Sequence, residues 1–190
     1  MAAITIKIDG LAEAIKRFDP DKFYQGVQLS FNEFGRRVET EAKQRAPIDE
    51  GHLKGAIHNT PFKWGNEITC SVNYASYLEF GTRRYAAAYV AKLPAQWQQF
   101  AAATKGKGGG SMDEFIQNIM AWVLRKGIGG AKTKGGNVSK SKKNLDNMQQ
   151  VAYNIALNIL RKGIKPQPFI YPAFNISSEQ LLKDLNAIKL

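Results

Sequence analysis

The residues best suited to chemistry are few. Asp49, Glu50 and His52 crowd into PIDEGH, Pro47–His52, where carboxylates and an imidazole could be drawn as metal ligands. The same stretch reads more simply as a turn running into a helix, with the acids and the histidine as caps and solvated side chains. His52 and His58 are the only histidines, and the chain has no HExxH, no paired CxxC and no Gly-x-Ser-x-Gly elbow. Gly130-Ala131-Lys132-Thr133 ends like a phosphate-binding loop, but alanine separates glycine from lysine and a helical pattern precedes it where a strand is needed. A hydrolase using His52 or His58 would rest on two isolated side chains. The expectation is a protein that is not an enzyme, with no cofactor and no metal.

One carboxylate keeps unusual company. In VNYASYLEFGT, Val72–Thr82, the side chains of Tyr74, Tyr77, Leu78 and Phe80 surround Glu79 before Gly81 breaks the run. Burying that carboxylate unpaired would cost several kcal/mol, so it should lie exposed at a subunit boundary or meet a base such as Arg45, Lys54 or Arg83. Two readings stay open. Either Tyr74, Tyr77 and Phe80 pack between subunits with Glu79 fixing register, or they close the monomer's own core and Glu79 binds within the chain.

The elements that must position these residues follow from periodicity and punctuation. Ile4, Ile6 and Ile8 alternate as in a strand, and Leu11–Phe18 suits a short helix. Asp19-Pro20 gives an N-cap and a first-turn proline for a long helix, whose apolar stripe Phe23, Val27, Phe31, Phe34, Val38 and Ala42 runs to the break at Pro47. GHLKGAI predicts a helical turn. A hairpin follows, Phe62–Trp64 and Glu67–Asn73 about Gly65-Asn66, with Ile68, Cys70 and Val72 facing the long helix.

Beyond Thr82, Pro94 can open a helix bearing Trp97 and Phe100, and Lys105–Gly110 reads as a flexible loop. Ser111 with Glu114 forms a capping box for a helix ending at Lys126, where Gly127 supplies the stop. Gly129–Lys143 is too polar to pack and reads as a mobile linker; a helix over Leu145–Lys162 then ends at Gly163. Leu124-Arg125-Lys126-Gly127-Ile128 recurs as Leu160-Arg161-Lys162-Gly163-Ile164, two helix ends of one composition. Pro166–Pro172 is extended, and Ser177 with Gln180 opens the last helix, made amphipathic by Leu181, Leu182, Leu185 and Ile188.

The net charge of +11 is not spread evenly. Lys105–Lys165 holds twelve basic and three acidic residues, a net of +9. Lys132, Lys134, Lys140, Lys142 and Lys143 make its densest part. That segment can be a solvated loop, a contact for an acidic partner protein or a contact for nucleic acid, and its lack of interleaved aromatics removes any stacking platform for single strands. A basic nucleic-acid-binding accessory protein using residues 105–165 is thus the alternative function. The single cysteine, Cys70, calls for no oxidising compartment, and no apolar run reaches the roughly 20 residues that span a bilayer. The expected site of synthesis is the cytoplasm, without membrane contact.

Several motifs occur in a telling order: Ala42-Lys43 and Ala46-Pro47 ending the long helix, Asp49, Gly51-x-Leu53-Lys54 with Ile57, Asn73-Tyr74-Ala75, Leu78-Glu79-Phe80-Gly81-Thr82, and Pro168-Phe169-Ile170 with Pro172-Ala173. In that order they resemble the tail-completion, or head-to-tail joining, proteins of long-tailed bacteriophages, over roughly residues 1–82 and 155–185. The resemblance implies an α+β fold, a small antiparallel sheet packed on a long N-terminal helix and a C-terminal helix; this chain departs from it by a large helical insertion between the last sheet elements. The expected organisation is one tail-completion-like domain over 1–190, the departure being a basic helical insertion at 84–165 where shorter members run nearly directly on. It further implies a structural virion protein, made in the host cytoplasm, that forms a sixfold ring in the neck between head connector and tail tube or terminator. Contact with packaged DNA stays open. Tyr74, Tyr77, Glu79, Phe80, Gly81, Thr82, Arg83 and Phe169 are the expected subunit interface.

Overall fold

Asp19 fixes the start of the first helix described, α1 (Pro20–Arg45): its carboxylate accepts the amides of Asp21 and Lys22 at 3.2 Å each. The Lys22 amide, above all, holds that carboxyl below the usual aspartate range. The computed structural model describes residues 19–104 and 111–188. The expected strand at Ile4–Ile8, the helix over Leu11–Phe18 and the loop Lys105–Gly110 lie outside them. Among the described residues the fold is α+β, with eight helices and one two-stranded antiparallel sheet. They group into two compact units, one from the chain up to Ser71 and from Phe169 onward, the other from Val72–Pro168. The second unit thus begins at Val72, ahead of Arg84, and takes the LEFGT motif with the insertion.

In the first unit α1 leads through the short α2 (His52–Gly55) to β1 (Ile57–Phe62) and β2 (Gly65–Cys70), and the chain returns as α8 (Ile170–Asn186). Both strands and α8 pack on α1. Val38, Ala42, Ile57, Phe169 and Ala173 are fully buried there. The two largest of these, Phe169 and Ile57, contribute roughly 1.5–3 kcal/mol each by leaving water.

The hairpin turns two residues earlier than Gly65-Asn66. Phe62 pairs with Gly65, leaving Lys63-Trp64 as the loop. Gly65 has no positive φ; it is glycine because a Cβ there would lie 2.6 Å from the Phe62 ring. Asn66, freed from the turn, donates its amide to the Phe31 carbonyl of α1 at 2.5 Å. It ties the sheet to the helix over Gly35, where an added Cβ would meet the Asn66 oxygen at 2.2 Å.

The last helix also starts earlier than its capping-box pattern suggests. Ile170 opens it, Pro172 sits in the first turn where a missing N–H breaks no helical bond, and Ser177 is interior and 2 % exposed. So Pro166–Pro172 is extended only in its first part. Phe174 meets Phe34 edge-on at 5.6 Å, and Arg37 pairs with Asp184.

The second unit is helical: α3 (Ala75–Phe80), α4 (Arg83–Val90), α5 (Ala95–Thr104), α6 (Met112–Lys126) and α7 (Lys142–Lys162). Ser111 caps α6 by accepting the Glu114 amide at 3.1 Å. Val123, Met148 and Ala152 form a buried seam between α6 and α7, flanked by Ile119, Trp122, Ile128, Val138 and Val151.

The stretch expected to be a mobile linker is folded. Lys132 and Val138 form an antiparallel bridge, with Thr133 and Ser139 donating backbone bonds to Asn137 and Ala131. The buried side chain of Asn144 accepts the Ala131 amide at 2.6 Å and donates to the Ser139 carbonyl at 2.5 Å. One amide therefore satisfies backbone that no periodic pattern would have flagged. The helix after it starts at Lys142 because Ser141 accepts the Asn144 amide.

Candidate functional site

The Leu78–Thr82 motif has no catalytic shape; it is one side of a backbone clasp. Thr82 donates its amide to the Ile164 carbonyl at 3.0 Å, and its hydroxyl accepts the Ile164 amide at 2.7 Å. The Gln167 amide donates to Leu78 at 2.7 Å, so LEFGT and GIKPQ run together although 82 positions separate Thr82 from Ile164. Two glycines permit the approach. Gly81 has φ 73° and its absent Cβ would lie 2.8 Å from the Ile164 oxygen. Gly163 has φ 90°, with its Cβ position 2.3 Å from the Thr82 oxygen.

The repeated pentapeptide therefore stops two helices in two ways. At Gly127, φ 66° and ψ 25°, Ile128 donates to Val123 and Gly127 to Leu124, the left-handed stop expected of the sequence. At Gly163, ψ is 177° and the next amide leaves the helix for Thr82. The partner, not the pentapeptide, decides the difference.

Within the motif, Ala75, Glu79, Phe80 and Gly81 are buried, Tyr77 and Thr82 half-buried, and Tyr74 and Arg83 exposed. Glu79, at 2 % exposure, is not the surface carboxylate that one reading required. Among the bases considered for it, Arg45 pairs with Glu41 at 3.3 Å, and Lys54 and Arg83 are exposed. Phe80 packs edge-on against Phe100 at 6.0 Å, and Phe100 against Trp97 at 6.1 Å. Phe169 is fully buried as the residue preceding α8. The expected interface residues therefore divide: Tyr74 and Arg83 face solvent, while Glu79, Phe80 and Phe169 lie inside.

Beside the motif runs a mostly apolar groove of about 540 Å³, bounded by Tyr77, Phe80, Arg83, Ala87, Val90 and Ala101. Arg83 opens α4 with φ 52°, a left-handed value unusual for a side-chain-bearing residue. Its neighbour Arg84 donates to the Tyr85 hydroxyl at 3.1 Å and stands 4.9 Å from the ring centre. Lys165, from the other side of the clasp, stands 6.0 Å from the same ring. The hydrogen bond from Arg84, helped by the charges of Arg84, Lys165 and Lys162, holds the phenol below the usual tyrosine value. No sequence motif marks this cluster; it exists only because the clasp aligns residues just beyond Thr82 with residues flanking Ile164.

Lys132, Lys134, Lys140, Lys142 and Lys143 are all exposed along the bridged loop and the start of α7. Gly130-Ala131-Lys132-Thr133 leads from α6 into that bridge. His52 lies 3.7 Å from Glu50 at the surface, and His58 is exposed on β1. Among the described residues no three histidine, cysteine or acidic side chains gather as a metal site. In the first unit, a second cleft of about 560 Å³ between α1 and α8 is lined by Glu33, Arg36, Arg37, Ser177, Glu179 and Lys183, charges of both signs. No helix among the described residues is long and apolar enough to cross a membrane.

Set against family models, curated proteins and solved structures, the chain matches none of them significantly.

Proposed function

We propose that this chain is a structural protein of the bacteriophage neck, assembling as a ring of identical copies that joins the completed tail to the head connector. The observation that carries the reading is the clasp. The motifs behind the resemblance lie far apart in sequence, yet Leu78–Thr82 is hydrogen-bonded to the segment leading directly into Pro168-Phe169-Ile170. That the distant motifs meet through the chain's own backbone supports reading the residues between them as an insertion, the one place where the chain departs from the resemblance. Exposed apolar side chains such as Tyr74 at 43 % give copies something to bury against one another.

Particles made without this protein should separate into full heads and finished tails, visible by electron microscopy. Purified chain should form rings by light scattering, and Tyr74→Glu should break them while leaving the circular dichroism unchanged. A chain that stays monomeric at every concentration, with normal virions in its absence, would end the proposal. A second reading, a nucleic-acid-binding accessory protein, draws on the five exposed lysines of the bridged loop. Filter binding across a salt series, with the five loop lysines changed to glutamine, tests it: loss of the salt-sensitive binding supports the second reading, while ring formation by apolar burial does not weaken with salt.

A further inference from the structure

Arg84 and Lys165 come from segments 81 positions apart, and the clasp sets both within 6.0 Å of the Tyr85 ring centre, with Lys162 next to the clasp glycine Gly163. All three are exposed. Among the described residues none forms an ion pair with a carboxylate. Like charges held together without a counter-charge repel, and Lys162 and Lys165 belong to the Lys105–Lys165 stretch whose net charge is +9. Such a surface is a ready contact for a polyanion.

We propose that the Arg84–Tyr85–Lys162–Lys165 cluster is a docking surface for the phosphate backbone of double-stranded DNA. The chemistry favours a duplex over a single strand because the ring at the centre of the cluster, Tyr85, already engages Arg84 and Lys165, whereas single-strand sites set out several aromatic rings for successive bases. It favours a phosphate backbone over an acidic peptide because a duplex presents a negative charge about every 1.7 Å, so a fixed group of cations is matched wherever it lands. Arg84 can donate to phosphate oxygens in a planar fork, while the two lysines act as point charges. The contact carries no base readout and is therefore independent of sequence. Its position is set by the clasp, because Thr82 and Ile164 are joined at 2.7 and 3.0 Å immediately beside the cations. This surface is distinct from the lysine-rich loop, and it stands whether or not the chain forms a ring.

The test is fluorescence anisotropy of the full chain with a labelled duplex of about 30 base pairs, over NaCl from about 0.05 to about 0.2 M, against a single strand of equal length and polyglutamate. Arg84→Gln with Lys165→Gln should flatten the slope of log affinity against log salt by about 1.8, the share of two phosphate contacts. Lys63→Gln with Lys92→Gln removes the same charge from other exposed sites and should leave the slope unchanged. Arg84→Lys with Lys165→Arg keeps the charge and should restore it. Equal flattening by the two charge-removing pairs would show diffuse attraction and overturn the proposal. So would an unchanged slope in the Arg84/Lys165 pair, or tighter binding of the single strand or of polyglutamate.

Discussion

Replacing Gly163 with alanine tests whether the clasp is a structural necessity. Gly163 has φ 90° and ψ 177°, a region open almost only to glycine, and any other residue there costs about 1–3 kcal/mol in backbone strain. An alanine Cβ would also sit 2.3 Å from the Thr82 carbonyl oxygen, backbone that cannot turn aside as a side chain can. Relief means moving the two segments of the clasp apart and losing the paired bonds between Thr82 and Ile164, each with a net contribution of about 0.5–1.5 kcal/mol. The sum is about 4 kcal/mol. Gly127, in the same pentapeptide, is the control: its φ of 66° is an ordinary left-handed stop, and its absent Cβ meets only the Val138 methyl at 2.8 Å. Gly127→Ala should cost about 1–2 kcal/mol. Both glycines lie in the second unit, so one urea transition, followed by fluorescence of Trp97 and Trp122 in a Trp64→Phe background, reports both. If the two alanines destabilise equally, Gly163 does no more than end a helix and the clasp reasoning fails.

Asn144→Ala removes both bonds that hold the Ala131–Ser139 loop and should cost about 2–3 kcal/mol, with amide exchange at Thr133 and Ser139 accelerating; unchanged exchange would mean the loop holds itself. Gly35→Ala improves helix propensity by about 1 kcal/mol but places a methyl on the Asn66 side chain, so a net loss of stability is expected, and a gain would show that Asn66 is not anchored there. For Asp184, the Gln180 amide and then the Arg37 guanidinium lower the folded carboxyl below its unfolded value. Its contribution is therefore present above about pH 4 and lost as pH falls through the lower folded value, so Asp184→Asn should flatten the acid limb of stability measured by urea titration at several pH values.

What could be read from the sequence is what local rules dictate. The Asp19-Pro20 start of α1 and the Ser111 cap of α6 need only neighbours along the chain, and both stand where the pattern places them. The hairpin turn was displaced because glycine there answers to Phe62 across the strand rather than to φ. The loop after α6 was misread because one buried amide, Asn144, supplies what hydrophobic periodicity cannot announce. Ser177 carries a capping signature but lies on the face of α8 buried with Ala173, and helix packing overrides the local preference. The cation cluster at Tyr85 was invisible for a further reason, since no spacing rule links Arg84 to Lys165 until Thr82 and Ile164 are joined.

Pinning Thr82 to Ile164 makes the intervening stretch a closed excursion whose two feet stand side by side. The entropy of closing such an excursion grows only with the logarithm of its length, about 0.6 kcal/mol per doubling. Closure by itself therefore sets little limit on the length from α4 to α7; what a shortened excursion has to replace is the buried seam of Val123, Met148 and Ala152 and the Phe100 ring against Phe80.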